Sequence, residues 1–291
     1  MTPTIVLGLL HGRYDNYRRP CPDCDKGPRD IALSIKVDDQ GACWNCFRCG
    51  FVGSVKRETL QRPFVPPSPR EALRRVWKES VAMTEAARDY LTARGLGDVL
   101  LNPPNVLRCH PRLEYFDPGE PTQHFPALVA LVQDRTGTAV SLHRTYLQGS
   151  GKAPVRTPKK LMPPIEKGAC SRAAIRLHPI SHDGVLAVAE GIESALSHWT
   201  LTRIPVWSCI SAGGLERFWI PEGVKELHVI EDIDPSGVGQ HAAMSLFKRA
   251  ASRWRRAVYV SPQMIGADLA LIDRRHVDRS VDMNDVLRGA A

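Results

Sequence analysis

Over the last third of the chain, short apolar runs alternate with stretches of helical period. Val185-Leu-Ala-Val-Ala189 gives way to Glu190-Gly191 and then to helix-forming residues 192–201. Pro205-Val-Trp-Ser-Cys209 precedes a Gly213-Gly214 turn, and Leu227-His-Val-Ile230 ends at the acidic pair Asp232-Ile-Asp234. After Gly237, Ala243, Leu246, Phe247, Ala250 and Trp254 recur on one helical face, and Ala257-Val-Tyr-Val260 reads as a further strand. Strands alternating with helices predict a parallel, doubly wound sheet. Such sheets collect ligands at the carboxyl ends of their strands, where Glu190 and Asp232 fall.

Upstream the pattern differs. Residues 103–146 carry apolar runs such as Ala127-Leu-Val-Ala-Leu-Val132, broken by turn signals including Asp134-Arg-Thr-Gly137, and predict antiparallel β structure. Ser68-Pro69-Arg70-Glu71 offers an N-cap, a first-turn proline and a capping-box glutamate, so a helix starts there and buries Leu73, Val76 and Trp77. The proline-rich run Gln61-Arg-Pro-Phe-Val-Pro-Pro-Ser68 reads as an interdomain linker. Residues 31–37 and 42–44 read as strands of a small ribbon. The fold class expected is α/β: a small β domain over residues 1–60, a linker and connecting helix over 61–80, a basic α+β region over 81–180, and a Rossmann-like parallel sheet over 181–291.

A length of 291 residues suits one or two domains. Lys and Arg outnumber Asp and Glu by 39 to 31, giving a sequence pI near 9.2 and favouring a polyanionic partner. No apolar run approaches the roughly 20 residues needed to cross a bilayer. The opening Thr4-Ile-Val-Leu-Gly-Leu-Leu10 lacks the basic flank and small-residue cleavage site of a secretory signal. A soluble, cytoplasmic protein of a bacterial host cell, with no membrane partner, is the expectation. Of the eight cysteines, five cluster between positions 21 and 49, while Cys109, Cys170 and Cys209 are scattered, which favours a metal over disulfides.

Cys21-Pro-Asp-Cys24 and Cys46-Phe-Arg-Cys49-Gly50 are two knuckles with 21 residues between them, a spacing that brings four thiolates around one structural Zn2+. Cys43 also lies in this segment, but only Cys46 stands at knuckle spacing from Cys49. Arg13, Arg18, Arg19 and Arg48 surround the cluster and suit phosphate contacts or a solubilising surface equally. The zinc has two open roles, stapling a small fold or shaping a surface that reads nucleic acid.

Glu190 and Asp232-x-Asp234 are expected to converge at the ends of neighbouring strands. Mg2+ or Mn2+ takes one or two carboxylates and leaves positions for phosphate, and paired metals suit phosphoryl transfer. Asp282, in Asp282-Met-Asn284-Asp285, adds a further candidate carboxylate. Ahead of a helix, an Asp-x-Asp turn is also a common N-cap. No Gly-x-x-x-x-Gly-Lys-[Ser/Thr] phosphate loop occurs, since Gly149-Ser-Gly151-Lys152-Ala153 has the wrong spacing and no Mg2+-holding hydroxyl.

Glutamate after the first strand (Ala187-Val-Ala-Glu190-Gly191) and Asp-x-Asp after a later one (Glu231-Asp232-Ile-Asp234-Pro-Ser-Gly237) resemble the Toprim pattern. Trp44-Asn-Cys46-Phe-Arg-Cys49-Gly50 following Cys21-Pro-Asp-Cys24 looks like the zinc ribbon of bacterial and phage primases, although many bacterial ones include a histidine ligand. The middle, from Asp89-Tyr-Leu-Thr-Ala-Arg94 through Leu142-His-Arg144-Thr-Tyr-Leu to Lys159-Lys160, is similar to phage and plasmid primase-like Toprim proteins. The resemblance implies a DNA primase that makes short RNA primers on single-stranded DNA from nucleoside triphosphates. It implies that Glu190, Asp232 and Asp234 bind catalytic Mg2+, that Glu190 also handles a proton, and that Asp282 matches a later acidic position. His143, Arg144, Lys152, Arg156, Lys159 and Lys160 would meet template or nucleotide. A replicative helicase would be a separate chain. A Toprim nuclease and a non-catalytic zinc-ribbon recruitment module stay open as alternatives.

Overall fold

The structure, a computed structural model, describes residues 16–38, 41–56, 67–252, 256–262 and 282–289. The apolar run at 4–10, Arg13, most of the proline-rich run and Trp254 lie outside the described residues. The chain divides into two compact units, Met1–Ser68 and Pro69–Ala291.

In the first unit, β1 (Asn16–Arg19), β2 (Leu33–Asp38), β3 (Gly41–Cys46) and β4 (Val52–Lys56) pair consecutively and antiparallel. Leu33 and Ile35 alternate inward against Ala42, Cys46 and Cys21, with Tyr17, Trp44, Phe51 and Val55 partly buried against this small core. β2 begins at Leu33 rather than at Ile31. Asp30 accepts a hydrogen bond from the Ala32 amide (3.3 Å) and a paired one from the Arg48 guanidinium (2.8 Å each), and Ile31 is left exposed.

The second unit opens with α1 (Pro69–Glu79), which buries Leu73 and Val76 with Trp77 half-buried against the same cluster. α2 (Glu85–Ala93) follows, its N-cap Thr84 accepting from the Ala87 amide (3.3 Å). A meander of β5 (Leu107–Tyr115), β6 (Gln123–Gln133), β7 (Ala139–Gln148) and β8 (Gly151–Lys152) is completed by β9 (Lys159–Leu161), which also pairs with β7. Beyond it come β10 (Val185–Ala189), α3 (Ile192–Thr202), β11 (Val206–Ser208), α4 (Ala212–Glu216), β12 (Glu226–Ile230), α5 (Val238–Ala251), β13 (Arg256–Val260) and α6 (Met283–Gly289). β10 to β13 form one parallel sheet in the order β11-β10-β12-β13.

Two residues stitch the sheets together. Ala174 bridges to Gln133 at the end of β6, and Ile175 bridges to Ser208 at the end of β11. Alternation then sorts the side chains of the parallel sheet. Ala187, Ala189, Val206 and Ile230 face α3 and α6, whereas Leu186, Val188, Trp207 and Val229 face α5. The expected Gly213-Gly214 turn is a short helix, α4, with Ser211 as its N-cap accepting from the Gly214 amide (3.1 Å). A side chain at Gly214 would place its Cβ 2.0 Å from the Cys209 carbonyl oxygen, so only glycine lets the chain turn back so tightly.

Candidate functional site

β10 and β12 are adjacent and parallel, with Val188 opposite Val229. Glu190 follows the first by one residue and Asp232 follows the second by two, so both emerge at the same sheet edge. They line a cavity of about 140 Å3 with Asp282, His143, Lys159 and Glu193. Asp282 joins them from further along the same region as the cap of α6, its Oδ1 accepting from the amides of Asn284 (2.8 Å) and Asp285 (3.1 Å).

The electrostatics are those of carboxylates crowded together. Burial, then the charges of Asp282 and Glu190, push Asp232 up to about 7 against a hydrogen bond from Ser194. Burial raises Glu190, with the Asp234 charge adding to it and the Ala212 amide opposing. Burial and then Asp285 raise Asp282. Asp232 Oδ1 is enclosed and has no hydrogen-bond partner among the described residues. An orphaned carboxylate oxygen among repelling carboxylates fits a hard cation, which would relieve both defects. The three carboxylates do not close into a tight cage, because the cysteine quartet is the only group of metal-ligating side chains among the described residues whose donor atoms lie within 4.8 Å of one another. That openness suits Mg2+, which keeps positions for water and phosphate.

Asp234 stands outside the cavity lining. Its Oδ1 accepts from the Ser236 amide (2.8 Å) and hydroxyl, and its Oδ2 from the Gly239 amide (2.7 Å) in the first turn of α5. Burial pulls its carboxyl upward, but these bonds outweigh that and hold it below its ordinary value. A Cβ at Gly239 would sit 2.4 Å from the Asp232 carbonyl oxygen and 3.0 Å from Asp234 Oδ2, so glycine there lets the acidic turn seat on the helix. Within the Asp-x-Asp motif, Asp232 lines the cavity, while Asp234 caps the start of α5 and still lies close enough for its charge to act on Glu190.

Glu193, which sequence reasoning passed over, is the hub of the site. It is buried on α3, accepts from Tyr90 Oη (2.6 Å) and Lys159 Nζ (2.8 Å), and lies 3.4 Å from Lys152 Nζ. Burial pushes it upward, yet Lys159 and Lys152 hold it well below the usual carboxylate range. The signal lay in its position in the first turn of the helix that directly follows Glu190, at the carboxyl end of a parallel strand where ligands collect.

The predicted basic residues separate by strand parity. Lys159 pairs with Thr145 and Lys160 with Arg144, so Lys159 shares the cavity face with His143 while Arg144 and Lys160 take the other. Arg144 donates to Tyr146 Oη (3.1 Å) and the Leu161 carbonyl (3.2 Å); Lys160 donates to the Phe116 carbonyl (2.6 Å) and lies 4.0 Å from the centre of the Tyr115 ring. Arg156 is exposed. His143 is no cation: burial, then the Lys159 charge, lower it to about 4.

A buried polar chain fixes the walls. Asn284 donates to the Arg94 carbonyl (2.8 Å) and Ser197 Oγ (3.0 Å), and accepts from the Arg94 guanidinium (3.2 Å), which packs over the Tyr90 ring. Tyr90 in turn holds Glu193. Ile210, on the cavity rim, adopts φ +77°, a left-handed conformation unusual for a β-branched residue and typical of a loop held in place by its surroundings.

In the ribbon unit, Cys21, Cys24, Cys46 and Cys49 bring their sulfurs together, with Cys21 to Cys49 at 3.6 Å and Cys24 to Cys46 at 3.9 Å. A tetrahedron with Zn–S bonds of about 2.3 Å has edges of about 3.8 Å, so the quartet fits zinc. Cys43 is exposed and outside the cluster.

Residues 185–291 match the Toprim domain family, and residues 68–172 match a domain of unknown function (DUF7146). The C-terminal region is a Toprim domain. No curated protein matches the chain in sequence. Among solved structures, the chain is similar to the primase fragment of the bacteriophage T7 primase-helicase protein, at 14% identity over 80% of this chain and 85% of that one, TM-score 0.35. It is likewise similar to the zinc-binding and RNA polymerase domains of the Aquifex aeolicus primase, at 15% identity over 86% and 73%, TM-score 0.43. The DnaG catalytic core gives 13% identity over 80% and 79%, TM-score 0.37.

Proposed function

We propose that the chain is a DNA primase, joining nucleoside triphosphates into short RNA primers on single-stranded DNA by metal-dependent nucleotidyl transfer. The observation that carries this reading is the placement of Glu190 and Asp232 side by side at the ends of β10 and β12, closed over by Asp282, in a Toprim domain. Glu190, Asp232 and Asp282 are the ligands for Mg2+ or Mn2+, with Asp234 holding the loop that aims Asp232. Bound there, the metal supplies a Lewis acid for the attacking 3′ hydroxyl and the departing pyrophosphate.

The chain's own groups do the rest. Lys159 is anchored to Glu193 by one donor, leaving others for a triphosphate oxygen, and Lys152 supports the same field. Glu190, raised by burial, is suited to receive a proton from the attacking hydroxyl. Arg144, Arg156 and Lys160, away from the cavity face, meet the template backbone. In the ribbon, exposed Phe47 with Arg18 5.1 Å from its ring centre offers a stacking platform for a template base. A replicative helicase is the partner that such a primase would work beside.

The test is de novo synthesis from labelled nucleoside triphosphates on mixed-sequence single-stranded DNA with Mg2+, comparing wild type, Asp232→Asn and Cys46→Ser. Short oligomers are expected from wild type, none from Asp232→Asn, and a loss of start-site choice in the ribbon variant. A shortened template without incorporated nucleotide would replace this reading with a nuclease. Binding without either reaction would leave a recruitment module.

A further inference from the structure

Two cavities, one at the β11 edge of the Toprim sheet and one against α5, share no lining residue with the acidic site. The first, about 510 Å3, lies beyond the edge strand β11 and is walled by Trp207, Trp219, His178, Leu177 and Ile180, with Arg135 at its rim. The second, about 530 Å3, holds Arg172, Arg217 and Arg249 against a single acid, Glu216. Trp219 lines both and is the partition between an aromatic slot and an arginine pocket.

The partition is built to stay in place. Buried Phe218 packs edge-on against Trp207 (6.1 Å between ring centres), and Arg249 donates to the carbonyls of Glu216 (2.7 Å) and Phe218 (2.9 Å). Trp219, the next residue, is half-exposed as a result. Arg176 lies over the Trp207 ring at 4.6 Å. The slot wall also carries Gln133 Oε1 and Arg176 Nε, an acceptor and a donor that are buried without partners among the described residues. The side chains of Arg172 and Arg217 make no hydrogen bond or ion pair among the described residues. Arg172 keeps φ +62°, a left-handed conformation that residues with a side chain rarely adopt.

We propose that this edge is a second binding site for single-stranded nucleic acid, with one base stacked on Trp219 and the adjoining phosphates held by Arg172 and Arg217. Every base has a π face, so an aromatic wall beside unpaired arginines takes a single strand without regard to sequence. An apolar peptide would fill the slot but leave the arginines without a counter-charge. The site does not depend on the reaction at Glu190 and Asp232, and a nuclease or a recruitment protein would use it equally.

The experiment is photocrosslinking of the full chain to a 5-bromouracil-substituted single strand, followed by peptide mapping, with affinities from fluorescence anisotropy. An adduct on Trp219 is expected. Trp219→Ala should weaken binding roughly tenfold, given about 1–3 kcal/mol per stacked base, and Trp219→Phe should restore most of it. Arg172→Ala with Arg217→Ala should flatten the dependence of log affinity on log salt by about 1.4, from about 0.7 per neutralised phosphate. Adducts confined to other segments, with unchanged affinity in Trp219→Ala, would overturn the proposal. So would an unaltered salt slope together with displacement of the strand by a tryptophan-containing peptide, which would mark the slot as a protein-docking surface. An adduct at Trp219 in a chain that makes no primers would sink the polymerase reading and keep this one.

Discussion

Replacing Asp232 by asparagine should stabilise the metal-free protein while disabling it. The carboxyl is lifted from 3.8 to about 7 by burial and by its acidic neighbours, so at pH 8 the folded state holds a charge that it disfavours. At 1.36 kcal/mol per pH unit the displacement corresponds to about 4 kcal/mol, an upper bound that relaxation of the loop reduces to about 2 kcal/mol. The sign follows from the direction. A carboxyl whose folded pKa exceeds its unfolded one binds its proton more tightly when folded. Its contribution to stability is therefore complete below 3.8 and lost as pH rises through about 7. Asparagine removes this dependence. In thermal melts without divalent cation, the variant should exceed wild type by roughly 4–8 °C at pH 8, with the gap closing toward pH 4. The buffer must be free of Mg2+ without a chelator, which would strip the thiolate quartet. Added Mg2+ should raise the wild-type midpoint and leave the variant's in place. A variant less stable than wild type at pH 8, or a gap that does not change with pH, would refute the crowding argument.

Three further outcomes follow from the geometry. Metal analysis should find one zinc per chain, lost in Cys46→Ser but retained in Cys43→Ser, with the new protease cleavages in Cys46→Ser falling in the ribbon unit. Glu193→Gln leaves two lysine charges facing each other and should cost about 3–5 kcal/mol in urea denaturation, far more than an exposed pair would. Asn284→Ala removes three side-chain hydrogen bonds, one of them fully buried, and should cost about 1–3 kcal/mol and raise the Mg2+ concentration needed for half-maximal activity, because the Asp282 cap is then unsupported.

Local periodicity made the parallel sheet legible, and with it the meeting of Glu190 and Asp232, because a strand's carboxyl end can be read from where its apolar run stops. The four zinc-compatible cysteines were legible for a similar reason, since knuckle spacing is itself local. What escaped depends on burial and on distant partners. Lys152 and Lys159 look like any solvated basic loop until Glu193 is placed between them. His143 reads as basic, and only its depth makes it neutral. Tyr90 lies in α2 and Arg94 caps it, the local pattern explains them as core and surface, and nothing in that pattern points to Glu193 or Asn284. The helix at 212–216 was obscured because paired glycines signal a turn, whereas here one of them serves the close approach to Cys209.

The hydrogen bonds between Arg94 and Asn284 also order events in time. They join residues 190 positions apart, and the bond from Tyr90 to Glu193 spans 103. Contacts of such separation form late, after the intervening chain has already closed into sheets. During synthesis the strands carrying Glu190 and Asp232 can therefore assemble while the cavity still lacks its third carboxylate and its brace. A nascent chain would hold Glu190 and Asp232 in a half-built cavity until residue 284 has left the ribosome, so the acidic wall closes only when Asn284 reaches Arg94.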